Sequence, residues 1–172
     1  MNKVVAEIIA GLIPHKMTRN RWRGILRFGP LNALRLKKRI KGDKTTPEHY
    51  LAVCAIAKDE GPYFKEWIEW HLSQGVEKFY VYDNESTDGT KDILQPYIDS
   101  GVVAYKYWPG HRRQLAAYDD CLDNYRFASR WIAFIDLDEF IVPLKDASIP
   151  DFLKRMESFA AVEINWLVYG SG

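Results

Sequence analysis

From Tyr50 onward the chain repeats one unit, a short apolar run ending on a polar cluster and then a stretch with helical punctuation. Residues 51–57 are a continuous run of small apolar side chains, the pattern of a strand buried on both faces of a parallel sheet. Pro62 opens a helix over 63–73 that Gly75 stops, the usual order of these two residues. A second strand over 78–82 runs into Asp83-Asn84-Glu85-Ser86-Thr87-Asp88-Gly89-Thr90, where Thr87 or Asp88 can cap a helix reaching about Ile98. Gly101 leads a third strand, 102–107. Pro109-Gly110 breaks it before a helix over roughly 112–127. A fourth strand, 131–135, expected at the centre of the sheet, ends on Asp136-Leu137-Asp138-Glu139. Strands alternating with helices at this pace predict an α/β fold, a doubly wound and mostly parallel sheet with helices on both faces.

Charge divides the chain. Through Lys44 there are 12 Lys/Arg against Glu7 and Asp43, whereas the remaining 128 residues carry 12 against 21 Asp/Glu. This predicts a basic N-terminal arm over 1–45 and a mildly acidic domain over 46–172. In the arm, Val4, Val5, Ile8, Ile9, Leu12 and Ile13 recur at helical spacing up to Pro14. The bases that follow, interleaved with Trp22, Phe28, Leu31 and Leu34, suit either a solvated face or a peripheral contact with anionic lipid. Charge and two aromatics alone do not support nucleic-acid binding. No run reaches the ~20 apolar residues of a membrane span, and residues 4–13 make a poor signal peptide. Cys54 and Cys121 lack metal-ligand spacing and are expected as reduced core thiols, although a disulfide stays open on sequence alone. The expected location is cytoplasmic, with a peripheral hold on the membrane's cytoplasmic face.

Ligands of an open parallel sheet bind beyond the carboxyl ends of its strands, and the polar clusters fall there. After the first strand come Lys58, Asp59 and Glu60; after the second, Asp83 to Asp88; after the fourth, Asp136 to Glu139. In an extended segment the side chains of i and i+2 point the same way. Asp136 and Asp138 can therefore face a cleft while Leu137 faces the core. Paired carboxylates on a rigid strand end suit Mn²⁺ or Mg²⁺, which prefer oxygen ligands and keep positions open for phosphate. Asp83 and Asn84 offer acceptors for a nucleoside's ribose or base, with Ser86 and Asp88 shaping the turn. Arg113 and Gln114, in the turn with His111 and Arg112, can meet phosphate at a helix start. His71, beside Trp67 and Trp70, is expected to pack rather than react.

The segments Cys54-Ala-Ile-Ala-Lys-Asp-Glu60, Glu66-Trp-Ile-Glu-Trp-His71, Tyr82-Asp-Asn-Glu-Ser-Thr-Asp88 and Trp131-Ile-Ala-Phe-Ile-Asp-Leu-Asp-Glu139 resemble glycosyltransferase family 92, a relative of the larger family 2. The resemblance runs from about Tyr50 to the C-terminus. It implies a GT-A (Rossmann-like) fold, a UDP-hexose donor such as UDP-galactose, Mn²⁺, a glycan or lipid-linked acceptor, and inversion at the anomeric carbon. It assigns Asp136 and Asp138 to the metal and matches Asp83 to the acidic nucleoside-contacting position of family 2, and Gln114 and Cys121 fall at positions where members carry those residue types. Together with the strand-end clusters, this makes Lys58, Glu60, Asp83, Asn84, Arg113, Gln114 and Asp136 the expected nucleotide-sugar contacts. Residues 165–172 resemble the start of an acceptor-side strand. The base that inversion needs is expected beyond Gly172, with Glu139 bracing the metal pair. Two rival readings are a non-catalytic binding domain and a haloacid-dehalogenase-type phosphatase. The second fits poorly, because Phe140 stands where that motif wants Thr or Val and the acidic pair follows the fourth strand rather than the first.

Overall fold

A computed structural model of the chain describes residues 46–168. The expectations for the basic arm, and for the last four residues of the C-terminal segment, fall outside them.

Four strands form one sheet, β1 (His49–Ala57), β2 (Lys78–Asp83), β3 (Val103–Tyr107) and β4 (Ser129–Phe134), in the order β3-β2-β1-β4 and parallel throughout. Between and after them lie α1 (Gly61–Ser73), α2 (Thr90–Asp99), α3 (Gln114–Tyr125) and the short α4 (Ile149–Lys154). The alternation of β1 divides the core. Leu51, Val53, Ala55 and Ala57 face one way, against Phe64, Trp67 and Ile68 of α1, Leu94 of α2 and Ile149 and Leu153 of α4. Ala52 and Cys54 face the other way with Tyr80 and Tyr82, against Ala117 and Cys121 of α3. The sheet is covered on both faces, so the doubly wound α/β expectation holds. Each fully buried Leu, Ile or Phe in these layers contributes roughly 1.5–3 kcal/mol. Both cysteines are free and buried, and their mutual hydrogen bond, with burial, drives the Cys54 thiol pKa far up.

Three features differ from the sequence expectation. The strand over 131–135 is not flanked on both sides: β4 pairs with β1 and forms an edge of the sheet among the described residues. Its side chains Trp131 to Phe134 are accordingly half-buried rather than fully enclosed. Residues 161–168 form no strand, since no neighbouring ladder meets them, and Trp166, Leu167 and Val168 are exposed. Helix α4 has no periodic apolar run long enough to announce it. It is defined by Ser148, whose hydroxyl accepts the Asp151 N–H as an N-cap, and by Pro150 in the first turn.

The strand order sets the site. Chain progress from β1 to β3 moves outward on one side, and β4 then returns to the other side of β1. The sheet's switch point therefore lies between β1 and β4. Ala57, Asp83 and Tyr107 stand in register, so the loops after β1, β2 and β3 start at one level.

Candidate functional site

These loops are laced to one another. Asp59 Oδ1 accepts the Thr87 N–H at 2.7 Å, and the Asp59 N–H donates to Ser86 Oγ at 2.9 Å. Asp88 caps α1 from the neighbouring loop by accepting the Gly61 N–H at 2.7 Å, and its other oxygen takes the Thr90 N–H and hydroxyl. A Cβ at Gly61 would sit 2.9 Å from Ile93 Cδ1 and 3.0 Å from Asp88 Oδ2, so a side chain there would push both of these side chains aside, including the carboxylate that caps the helix. Asn84 ties the third loop in, its Nδ2 donating to Trp108 O at 2.8 Å and Gly110 O at 2.9 Å. Among the described residues three non-glycine residues adopt the left-handed conformation, Asp59 (φ 56°), Glu85 (φ 63°) and Arg112 (φ 54°). One lies in each of the loops after β1, β2 and β3. Such residues cost roughly 1–2 kcal/mol apiece and cluster where function shapes the backbone.

The loops enclose a cleft of about 830 Å³, within the usual ligand-pocket range of roughly 300–1,000 Å³. Lys58, Glu60, Asn84, Arg113, Gln114, Asp136 and Asp138 all line it. Asp136 and Asp138 are exposed on either side of Leu137, which keeps only 4% of its surface accessible and anchors the pair to the core. Gln114 Nε2 donates to Asp136 Oδ1 at 3.0 Å and to the Tyr118 hydroxyl at 3.0 Å. That hydroxyl lies 3.5 Å from the same carboxylate oxygen. Burial, followed by the charge of Asp136, pushes the Tyr118 phenol up to about 12, so it remains a donor. The Glu139 carboxylate accepts the Asp136 N–H at 3.1 Å and braces the loop. The Glu60 pKa is raised by burial and then by the like charges of Asp138, Asp136 and Asp88. Arg113 stacks on Trp108, with its guanidinium carbon 5.1 Å from the ring centroid. Arg112 and Lys58 add two further cations to the lining.

Asp83 is the exception among the candidate residues. It is 3% exposed and does not line the cleft. Its Oδ1 accepts the Ser86 N–H at 2.9 Å and its Oδ2 the Tyr105 hydroxyl at 2.5 Å. Each oxygen keeps a further lone pair, so it is the burial of the carboxylate that a nucleoside contact would have to overcome. Tyr63, Glu66 and Phe140 also line the cleft and were not among the candidates. Tyr63 and Glu66 lie three apart on the first two turns of α1, so the spacing from Glu60 was the available signal.

A metal ion fits the donor set. Asp136 and Asp138 supply hard oxygens, and the crowding of like charge at Glu60 is what a cation would relieve. Among the described residues no group of three or more His, Cys, Asp or Glu side chains is placed to hold a metal ion.

An open parallel sheet with a polar cleft at its switch point is the architecture of nucleotide-binding α/β domains. The chain belongs to glycosyltransferase family 92, whose profile matches residues 49–170. It is 28% identical over 120 residues to a glycosyltransferase family 92 protein of Ricinus communis, covering 69% of this chain and 21% of that protein. It is also 27% identical over 117 residues to a galactan beta-1,4-galactosyltransferase of Arabidopsis thaliana, covering 62% of this chain and 22% of that protein. With a beta-1,4-galactosyltransferase of Caenorhabditis elegans it shares 32% identity over 127 residues, covering 63% of this chain and 30% of that protein. The chain thus spans about a fifth to a third of the length of these relatives.

Proposed function

We propose that this chain forms the nucleotide-sugar site of a metal-dependent, inverting galactosyltransferase that uses UDP-galactose and Mn²⁺ or Mg²⁺ and transfers the sugar to a glycan hydroxyl. The observation that carries this reading is the pair Asp136 and Asp138, held on either side of buried Leu137 at the switch point. The galactosyltransferase relatives favour galactose as the sugar and a glycan as the acceptor.

Asp136 and Asp138 would hold the ion, and Gln114 with Tyr118 orients the Asp136 carboxylate. Bound there, the ion would neutralise the charge that grows on the departing diphosphate. Arg112, Arg113 and Lys58 in the same lining would provide complementary charge for the phosphates, with Arg113 pre-oriented by its stack on Trp108. Asn84 reaches the same cleft from the β2 loop, where the nucleoside would lie. Tyr63 and Phe140, 63% and 41% exposed, add aromatic surface to the lining that could meet the apolar face of a pyranose.

The test is calorimetry of UDP binding with Mn²⁺ and with EDTA. Linked sites typically couple by ~1–3 kcal/mol, roughly 5- to 150-fold in affinity, so UDP should bind more tightly with Mn²⁺. Asp138→Asn should erase the difference and leave the fold intact, since the change is nearly isosteric on an exposed side chain. Equal affinity with and without metal in the unmutated chain would remove Asp136 and Asp138 from the ligand set and leave a non-catalytic binding domain as the better reading.

A further inference from the structure

The loop that carries the acidic pair has little internal bonding. Within it, the Glu139 N–H donates to Asp136 O at 3.2 Å and Glu139 Oε2 takes the Asp136 N–H. Gln114 and Tyr118 of α3 reach its Asp136 carboxylate, and the contacts to its backbone beyond Asp138 come from one face of α1. Trp67 Nε1 donates to Glu139 O at 3.0 Å, and Trp70 Nε1 to Ile141 O at 3.3 Å. His71 completes the set. Its Nδ1 lies 2.8 Å from Trp67 O, which can only accept, so Nδ1 carries the proton and Nε2 is the acceptor. The Ile141 N–H points to that Nε2 at 3.4 Å. Phe140, between the two tethered residues, stacks on His71 at 5.8 Å and 13° and meets Trp70 edge-on at 6.2 Å. Residues 67, 70 and 71 are spaced i, i+3, i+4 and so share a helix face.

We propose that Trp67, Trp70 and His71 are positioning residues, a three-point clamp by which α1 sets the place of the Asp136–Asp138 pair. Ordinary core packing would bury these rings without aiming three polar ring atoms at three backbone groups of one loop. Trp67 and His71 are fully buried, whereas Trp70 is half-buried. The loop therefore takes its position from a helix face packed into the core, and a small displacement of a ligand can cost a large share of its contribution. Only the final step, from loop position to metal and nucleotide affinity, rests on the function proposed above.

The experiment uses the full chain. Trp67→Phe risks the core, so Trp70→Phe, His71→Leu and His71→Gln are compared. Gln can present a carbonyl oxygen near the Nε2 position, and Leu cannot. Amide hydrogen exchange is read at Glu139 and Ile141, with β1 amides as the control, and UDP affinity is read with Mn²⁺. Trp70→Phe and His71→Leu should speed exchange at the two loop amides roughly fivefold or more, the effect of one lost hydrogen bond. They should weaken UDP–Mn²⁺ by a similar factor with β1 exchange unchanged, and His71→Gln should restore both readouts toward the unmutated values. Unaltered loop exchange in Trp70→Phe and His71→Leu, or a loosened loop that keeps full affinity, would overturn the clamp. An unmutated chain that binds no UDP–Mn²⁺ would overturn the functional reading instead. The clamp would still be decided by the exchange rates and by the ¹³C carboxyl shifts of Asp136 and Asp138, which move only if the loop moves.

Discussion

Asp83→Asn separates a fold-supporting carboxylate from a ligand-binding one. In the native chain Oδ1 accepts the Ser86 N–H and Oδ2 the Tyr105 hydroxyl, in a site that is 3% exposed. An asparagine amide has one oxygen and one NH₂. With its oxygen on the Ser86 N–H, the NH₂ can donate only to the Tyr105 oxygen, and the hydroxyl proton loses its carboxylate acceptor; the reverse orientation sets NH₂ against the Ser86 N–H. Hydrogen bonds to a charged group contribute about 1.5–3 kcal/mol, and a buried donor left unpaired costs a comparable amount. A loss of about 2 kcal/mol is the middle of that range. For a chain of this size each kcal/mol lowers the melting temperature by roughly 2–4 °C, so the shift should be about 4–8 °C. Thermal melts and urea titrations would measure it, alongside UDP calorimetry below the transition. UDP affinity should fall only modestly, through loosening of the Asn84 loop, and by the same factor with Mn²⁺ and with EDTA. Unchanged stability together with a tenfold or greater loss of UDP affinity would refute this account. It would mean that the carboxylate leaves Tyr105 and Ser86 to meet the nucleotide.

Two further outcomes follow from the packing. Gly61→Ala should destabilise the fold by about 1–2 kcal/mol, because its Cβ would collide with Ile93 and the Asp88 carboxylate, outweighing alanine's better helix propensity; a melting temperature equal to or above the native value would contradict the close approach. Burial holds the His71 pKa below its usual 6.5. The unfolded chain therefore gains a proton first as pH falls: the penalty is absent above about pH 6.5 and accumulates below it, by at most about 1.4 kcal/mol per pH unit. The lowered carboxylates Asp88, Asp151 and Glu157 act at more acid pH. Urea midpoints from pH 7 to 5.5 should fall more steeply for the native chain than for His71→Gln, and parallel slopes would exclude His71 as the source.

Much of this protein could be read along the chain because its signals are local. The run of small apolar residues in β1, the Pro62 and Gly75 punctuation of α1 and the apolar approach to Asp136 each act within a few residues, and period-2 geometry alone places Leu137 opposite its acidic neighbours. The cleft's lining by Lys58, Glu60, Asn84, Arg113, Gln114, Asp136 and Asp138 followed from one rule, that loops at strand carboxyl ends converge. What sequence could not supply was the pairing of distant groups. That Asp83 turns inward depends on Tyr105, 22 residues away, reaching its carboxylate. That β4 lies at the edge depends on strand order, which no single strand encodes. Tyr63, Glu66 and Phe140 join the cleft, and Trp70 and His71 reach the acidic loop, only because α1 packs beside the end of β4. Local propensity sets which elements form. Which oxygen stays free for a ligand is decided by hydrogen bonds between groups that only the folded chain brings together.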